Sequence, residues 1–211
     1  MRKTAVSLAL LTCVFLALVT FFSLGGSFKR WAYEGAGRDA WQQPERVVKT
    51  LTLAPGQTVA DLGSGTGYFT GRLAGAVAPG GTVYAVDVDA DVQEELRERM
   101  TEDSVDNVEI VLADFDDTKL PDASVDLVLT VNTYHHFEDR PNYFRNLKRV
   151  LRPGGRVAVI EFDGSKGLFV RWAGHYTERE TLLREMAAAD YRVAQDIDFL
   201  DRQSFVIFAP E

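Results

Sequence analysis

The chain of 211 residues contains only one cysteine, Cys13, and three histidines. A single cysteine excludes an intramolecular disulfide and a cysteine-built zinc site, and the histidines lack H-x-x-x-H spacing, so we expect no metal. Basic residues are also few, since 31 acidic residues outnumber 23 lysines and arginines and the formal net charge is -8. A chain without a basic stripe offers nothing to a nucleic-acid backbone, so we expect no nucleic-acid partner.

Charged residues are missing from one long stretch near the N-terminus, Ala5 to Leu24. About 20 helical residues at about 1.5 Å each span about 30 Å, the thickness of a bilayer core. A basic start, Arg2 and Lys3, before an apolar run is also typical of a cleaved signal peptide, although the apolar part of a signal is usually only about 7 to 15 residues long. Residues 1–26 are therefore expected to anchor the protein in a membrane as a hydrophobic helix, or to direct its export. Positive charge on both flanks leaves the side of the membrane open.

The rest of the chain has the composition of one α/β domain, with 46% hydrophobic and 26% charged residues overall. Residues 27–44 form a linker and lead-in, and the domain is expected over residues 45–211. Pro44 suits the first turn of a helix reaching Leu53.

Beyond residue 55 short apolar runs alternate with segments of helical periodicity, which predicts a parallel sheet with crossover helices. Apolar residues at helical spacing include Phe144, Leu147 and Leu151, and Thr177 with Glu180 predicts a capping box for a helix ending near Ala189. Two adjacent final strands predict an antiparallel hairpin at one sheet edge. The predicted strands are Thr58–Leu62, Thr82–Val88, Val108–Leu112, Val125–Val131, Arg156–Phe162, Arg192–Leu200 and Gln203–Ala209.

The most informative segment is a glycine-rich loop directly after the first predicted strand. Glycines there let backbone amides approach a ligand at the carboxyl edge of the sheet. The G-x-G-x-G spacing differs from the dinucleotide-binding pattern, and the chain has no G-x-x-x-x-G-K-[ST] phosphate loop. The segment reads Asp61, Leu62, Gly63, Ser64, Gly65, Thr66, Gly67.

Asp61 indicates the charge of the ligand. A carboxylate about 4 Å from a pyrophosphate would cost on the order of 4 kcal/mol per charge pair at an effective dielectric near 20. The position therefore favours a cationic nucleoside over NAD, with the alternative that Asp61 only caps the loop.

Carboxylates at the ends of the next two strands complete a nucleoside pocket. Asp87 can accept hydrogen bonds from two ribose hydroxyls. Asp114 can accept from an adenine amino group while Phe115 packs on the ring, although Asp114 also fits an ordinary loop residue.

Successive motifs resemble those of class I S-adenosylmethionine-dependent methyltransferases, in the style of small-molecule enzymes such as the quinone-biosynthesis C-methyltransferases. The motifs are VADLGSGTGYFT, VYAVDVD, LADFDD, LPDASVDLVLTVNTYHHF and LKRVLRPGGRVAVIEF, and the resemblance covers roughly Pro44 to the C-terminus.

The resemblance implies a Rossmann-like, seven-stranded mixed sheet with the last strand antiparallel and helices on both faces. It implies S-adenosylmethionine as cofactor and a small-molecule or lipid-like methyl acceptor. Asp61 would lie near the cofactor's ammonium, and Asn132 would face its methionine end. The loop residues around that methionine part would be Gly63, Ser64, Gly65, Thr66 and Gly67.

Two histidines follow the fourth strand, where the transferred methyl group should lie. His135 or His136 could take a proton from the acceptor, or they could only pack and hydrogen-bond the loop. His175 is expected to line the same pocket, and Trp41, Trp172 and Tyr176 are either an aromatic lid or packing residues. The alternative functions are a non-catalytic cofactor-binding protein and an NAD-dependent oxidoreductase.

Overall fold

Seven strands form one mixed sheet in the computed structural model, which describes residues 37–166 and 175–211. The strands are β1 (Thr58–Leu62), β2 (Thr82–Asp87), β3 (Val108–Leu112), β4 (Val125–Val131), β5 (Leu151–Phe162), β6 (Tyr191–Ile197) and β7 (Gln203–Pro210). Their order in the sheet is β3-β2-β1-β4-β5-β7-β6. Strands β1 to β5 are parallel, whereas β7 is antiparallel to both β5 and β6. The predicted mixed sheet with an antiparallel last strand is confirmed.

Helices cover both faces of this sheet, as predicted. Side chains of β1 alternate between the two faces, so that Val59 packs with Leu73 of the helix Thr70–Val77 while Ala60 belongs to the cluster that contains Phe144 of the helix Arg140–Leu147. Strands buried on both sides read as continuous apolar runs for this reason. The helices are α1 (Arg38–Gln42), α2 (Pro44–Thr50), α3 (Thr70–Val77), α4 (Ala90–Glu102), α5 (Arg140–Leu147) and α6 (Arg179–Ala188).

The lead-in is helical from Arg38 onward and belongs to a compact unit that runs from Gly37 to Glu211. Pro44 occupies the first turn of α2, as its fixed φ angle favours. Within the described residues no helix is long and apolar enough to cross a bilayer. The predicted N-terminal hydrophobic helix falls on residues 1–26, outside the described part of the chain.

Two local predictions are wrong. Leu151 is the first residue of β5 and not part of a helical stripe, since the following Arg152 precedes Pro153 and a residue before proline disfavours helix. Thr177 forms no capping box, because its backbone N–H donates to the Phe162 carbonyl at 3.0 Å and so holds it outside α6. Helix α6 starts after Glu178 without a side-chain cap.

The parallel strands β1 to β5 all end at one edge of the sheet, which is their carboxyl edge. The loops that follow them converge there, and ligands of open α/β sheets bind at this edge. Every predicted cofactor-binding residue, with His135 and His136, lies in β1, at the end of β2, or in the loops after β1, β3 and β4, whereas His175 follows β5.

Candidate active site

The glycine loop leaves β1 and turns at once toward β2. The backbone N–H groups of Gly63 and Ser64 donate to the Val86 carbonyl at 2.8 and 3.1 Å. Gly63 has φ +77°, and a Cβ at this position would lie 2.2 Å from Oγ1 of Thr133, beyond β4. The sequence therefore requires glycine at position 63 for its backbone angle and for the close approach of the two loops.

Asp61 is the buried acid of this site, with 3% of its surface exposed. The Thr70 hydroxyl donates to its Oδ2 at 2.7 Å. Burial raises the pKa of Asp61 to about 6, the nearby Asp87 carboxylate adds to the rise, and Thr70 and the Arg38 guanidinium oppose it. Because the neighbouring groups offset only part of the cost of burying this negative charge, a cation that binds beside Asp61 stabilises its ionised form.

Asp87 organises the loop from the end of β2. Its Oδ2 accepts from the Gly65 N–H at 2.8 Å, and its Oδ1 accepts from the Asp89 N–H at 3.0 Å. Each carboxylate oxygen has a second acceptor site, so Asp87 can still accept ribose hydroxyls. Asp89 caps α4 by accepting from the Asp91 N–H at 2.9 Å, as expected for a helix-start residue.

Two hydroxyl groups of the loop are available to form further hydrogen bonds. Oγ of Ser64 and Oγ1 of Thr66 are buried, and neither has a hydrogen-bond partner among the described residues. Buried polar atoms are normally paired, so orphaned hydroxyls in a glycine loop are expected where a ligand makes the missing bonds. Together with Asp61 and Asp87 they fit a cationic nucleoside.

The predicted adenine residues follow β3. The Ala113 N–H donates to the Asp87 carbonyl at 2.9 Å, which holds this loop beside the end of β2. Phe115 is 82% exposed, and Leu112 beside it is 55% exposed. The Asp114 carboxylate pairs with Lys119 at 2.5 Å. An aromatic ring left in solvent next to the ribose position is available to stack, and adenine contact by Asp114 and Phe115 stays a prediction.

His135 and His136 lie on a 3₁₀ turn, Tyr134–His136, directly after β4. The Tyr134 hydroxyl donates to Glu185, which also pairs with Arg140 at 2.7 Å. These contacts fix the turn against α6, which carries Glu185. Burial, with the neighbouring imidazoles, lowers the pKa of His136. His175 joins this pair, with ring centroids 5.4 Å apart from His135, so the three histidines form one cluster.

Glu161, near the end of β5, is a residue that the sequence reasoning missed. Its carboxylate is fully buried and lies 3.0 Å from Nδ1 of His135. It also accepts from the His135 backbone N–H at 3.2 Å. The available signal was an ionisable residue inside the apolar run Val157–Phe162, because a buried charge is kept only where it is paired or used.

A chain of side-chain amides links Asn132 to the buried Gln203 and Gln42. Asn132, with φ +54°, accepts at Oδ1 from Gln203 Nε2 at 2.7 Å. Gln203 in turn accepts from Gln42 Nε2 at 3.2 Å, and Gln42 accepts from Arg38. Asn132 thus lies at the expected edge but is held by protein groups, and its contact with the cofactor stays a prediction. No sequence signal marked Gln42 or Gln203.

Two of the three predicted lid aromatics are described. Trp41 packs on Phe162 with ring centroids 5.5 Å apart. Tyr176 covers Gly164 so closely that a Cβ there would lie 2.3 Å from its ring. Both pack beside the end of β5. Trp172 lies outside the described residues, and an aromatic lid stays a prediction.

Comparison with known proteins agrees with this geometry. The profile of a methyltransferase domain family matches residues 60–159. The chain is similar to an S-adenosylmethionine-dependent methyltransferase structure from Aquifex aeolicus, with a TM-score of 0.78 and 25% identity over 87% of this chain and 97% of that one.

Curated relatives share the central part of the chain. An arsenite methyltransferase of Halobacterium salinarum is 36% identical over 109 residues, which are 52% of this chain and 28% of the relative. A ubiquinone/menaquinone biosynthesis C-methyltransferase of Hahella chejuensis is 34% identical over 109 residues, 51% of this chain and 44% of the relative. The chain thus spans less than half the length of these curated relatives.

The glycine loop, the Asp61 and Asp87 carboxylates, the strand order and these matches lead to one assignment. The chain carries a class I S-adenosylmethionine-dependent methyltransferase domain, and its cofactor is S-adenosylmethionine.

Proposed function

We propose that the protein transfers the methyl group of S-adenosylmethionine to a small-molecule or lipid-like acceptor by in-line displacement at the carboxyl edge of the sheet. The observation that carries the proposal is the buried Asp61, whose pKa is raised to about 6 beside a glycine turn. A buried carboxylate destabilises the folded protein unless a cation compensates it, and a sulfonium nucleoside with an ammonium group is such a cation.

Different residues would hold different parts of the cofactor. Asp61 would pair with the ammonium, the loop from Gly63 to Gly67 would surround the methionine part, and Asp87 would accept hydrogen bonds from the ribose. Asp114 and Phe115 would contact the adenine. When bound, the cofactor supplies an electrophilic methyl group on a positively charged sulfur, so the protein mainly contributes position and exclusion of water.

The acceptor enters on the side of β4 and β5. Where it must lose a proton before attack, His135 or His136 accepts that proton. Glu161 supports this role, because its contact with Nδ1 of His135 favours the tautomer whose Nε2 can accept. Nε2 is buried and has no hydrogen-bond partner within the described residues, so the protein does not compete with the acceptor for it.

The short connection between β4 and β5 favours a small acceptor. Between β4 and β5 the described chain holds only the histidine turn, α5 and one further 3₁₀ turn, with no inserted substrate domain. Arsenite chemistry of the kind named for one relative is disfavoured, because the chain has a single cysteine and arsenic binds thiols. Membrane attachment through residues 5–24 or export remains part of the proposal, and a C-terminal reporter fusion would identify the side occupied by the domain.

Turnover of methyl-labelled cofactor on lipid, quinone and protein extracts tests the proposal. The wild type is expected to label one fraction, and Asp61→Ala is expected to bind the cofactor at least about tenfold more weakly, roughly 1.4 kcal/mol. Asp122→Ala is the matched control, because Asp122 is an exposed carboxylate that precedes β4 at the opposite edge of the sheet. Tight cofactor binding without labelling of any fraction would favour a non-catalytic binding protein.

A further inference from the structure

The three histidines of the chain meet at one point of the sheet edge. One ring nitrogen of each lies within 4.8 Å of the corresponding nitrogens of the other two. The rings of His135 and His136 have centroids 4.0 Å apart, and those of His136 and His175 are 6.0 Å apart. These are all the histidines that the sequence contains, so their convergence does not follow from histidine being abundant.

His135 is oriented as a metal-binding histidine would be. A histidine that binds a metal almost always donates its other ring N–H to a carboxylate, a carbonyl or water. Nδ1 of His135 lies 3.0 Å from the fully buried Glu161 carboxylate, which leaves Nε2 as the nitrogen with a free lone pair. That Nε2 is buried and without a hydrogen-bond partner in the described part of the chain.

His175 is held over this point by its own neighbours. The Tyr176 ring packs against Gly164, and the Thr177 N–H donates to the Phe162 carbonyl at 3.0 Å. The backbone that carries His175 is thereby fixed beside the strand that carries Glu161. The His136 and His175 side chains are exposed and have room to turn toward His135.

The geometry points to a site for one divalent transition-metal cation, with His135, His136 and His175 as ligands and Glu161 behind His135. Imidazole nitrogens suit zinc and its neighbours in the first transition row, whereas magnesium and calcium prefer oxygen ligands. Three protein nitrogens leave the fourth position of a tetrahedral site open for an exchangeable ligand.

The distances allow this coordination after small side-chain movements. Nitrogens bound at about 2.0–2.1 Å to one tetrahedral zinc lie about 3.4 Å apart, so the widest pair must close by about 1.4 Å at most. The buried Glu161 carboxylate, 3.0 Å from Nδ1 of His135, supplies a negative charge beside the cluster. The expectation of no metal site was based on the absence of the H-x-x-x-H pattern. Ligands that come from two separate loops do not produce such a pattern in the sequence.

Metal binding and proton acceptance are alternative roles for Nε2 of His135, and a direct binding measurement separates them. Full-length protein without a histidine tag is treated with a chelator, dialysed, and titrated with zinc against a competing dye and with cobalt by visible absorption. We expect one metal ion per chain, bound with a dissociation constant on the order of 1 µM or tighter, and cobalt absorption typical of a four-coordinate nitrogen site.

Variants assign the ligands. His175→Ala and His136→Ala are each expected to weaken zinc binding at least about 100-fold, and Glu161→Gln by about tenfold to 100-fold. Cys13→Ser is the matched control, since it removes the only thiol and should leave the affinity unchanged. Retained S-adenosylmethionine binding by His175→Ala would show that the variant folds.

Less than half a metal ion per chain at saturation, or equal affinity in wild type and His175→Ala, would overturn the metal site. The titration uses neither cofactor nor acceptor, so a failed metal site leaves the proposed methyl transfer standing. Absent methyl transfer likewise leaves the metal site standing.

Discussion

Glu161 contacts His135 at two points, the ring Nδ1 at 3.0 Å and the backbone N–H at 3.2 Å. One buried carboxylate thus fixes both the orientation of the imidazole and the path of the turn that carries it. Because Glu161 accepts further from the Phe162 N–H at 2.9 Å, its own position is fixed as well. The pair joins the turn after β4 to β5.

Glu161→Gln tests this positioning role. An uncharged amide can accept from Nδ1 but stabilises a protonated ring less, so turnover in the active extract fraction should fall about tenfold to 100-fold, within the range of general acid–base effects. Cofactor affinity should stay within twofold, because Glu161 is assigned no contact with the cofactor. Kinetics at saturating cofactor and calorimetric titration measure the two quantities. A variant that lost cofactor affinity and turnover together would point to a structural role instead.

Asp61→Asn should weaken cofactor binding and stabilise the free protein. The folded pKa of about 6 exceeds the ordinary 3.8, so the folded state favours the protonated form. The stability contributed by that proton is fully present below about pH 4 and is lost as the pH rises through 6. At one pKa unit per about 1.4 kcal/mol, ionised Asp61 costs the folded state on the order of 3 kcal/mol at pH 8.

Urea unfolding at pH 8 without cofactor should therefore show Asp61→Asn to be more stable than wild type, by about 1–3 kcal/mol. The Thr70 hydroxyl can still bond the amide, so little is lost by the exchange. Cofactor affinity of the same variant should fall at least about tenfold. A less stable variant would show that Asp61 serves the fold and not the ligand.

Cofactor affinity should depend on pH through the same carboxyl group. Below its pKa of about 6 Asp61 must release a proton before it can pair with the cofactor's ammonium. The dissociation constant is therefore expected to rise about tenfold between pH 7 and pH 5. Calorimetry in two buffers of different ionisation enthalpy should detect the released proton, and Asp61→Asn should show a flat profile.

Gly63→Ala should disrupt the loop. A Cβ at this position would lie 2.2 Å from Oγ1 of Thr133, and the residue has φ +77°. The strain of an alanine in the left-handed backbone conformation and the steric overlap of its Cβ with Thr133 are together expected to lower the free energy of unfolding by about 2–4 kcal/mol. We also expect the variant to lose measurable cofactor binding.

Gly75→Ala is the matched control for that change. Gly75 lies inside α3, and a Cβ there meets nothing within 4 Å. This variant should gain about 0.5–1 kcal/mol from helix propensity and keep its cofactor affinity. Equal losses in both variants would contradict the close-approach argument for Gly63.

The sequence was sufficient for the sheet because buried parallel strands are continuous apolar runs. The bounds of β1, β3 and β4 agree with the predictions, and the glycine loop follows β1 as expected. Leu151 was misplaced because its apolar spacing fits both a helix and a strand, and only the proline two residues later distinguishes them.

The contacts around the three histidines and the side-chain amides were less predictable, since they join distant parts of the chain. Nothing local relates Glu161 to His135, or His175 to His136. Gln203 and Gln42 are separated by 161 positions, and their amides are matched only after the sheet has formed. The glycine loop and the carboxylates beside it could be selected as candidates because they follow a short, continuous pattern.

Strand β7 lies between β5 and β6 although it follows both along the chain. During synthesis one edge of β5 therefore has no strand to hydrogen-bond with until β7 has been made, about 40 residues later. Non-local pairing of this kind slows folding. The glycine loop and its carboxylates can therefore form early, whereas the hydrogen bond between Gln203 and Asn132 forms only after β7 has been made. A chain that ended before β7 would leave the edge of β5 unpaired and prone to aggregation.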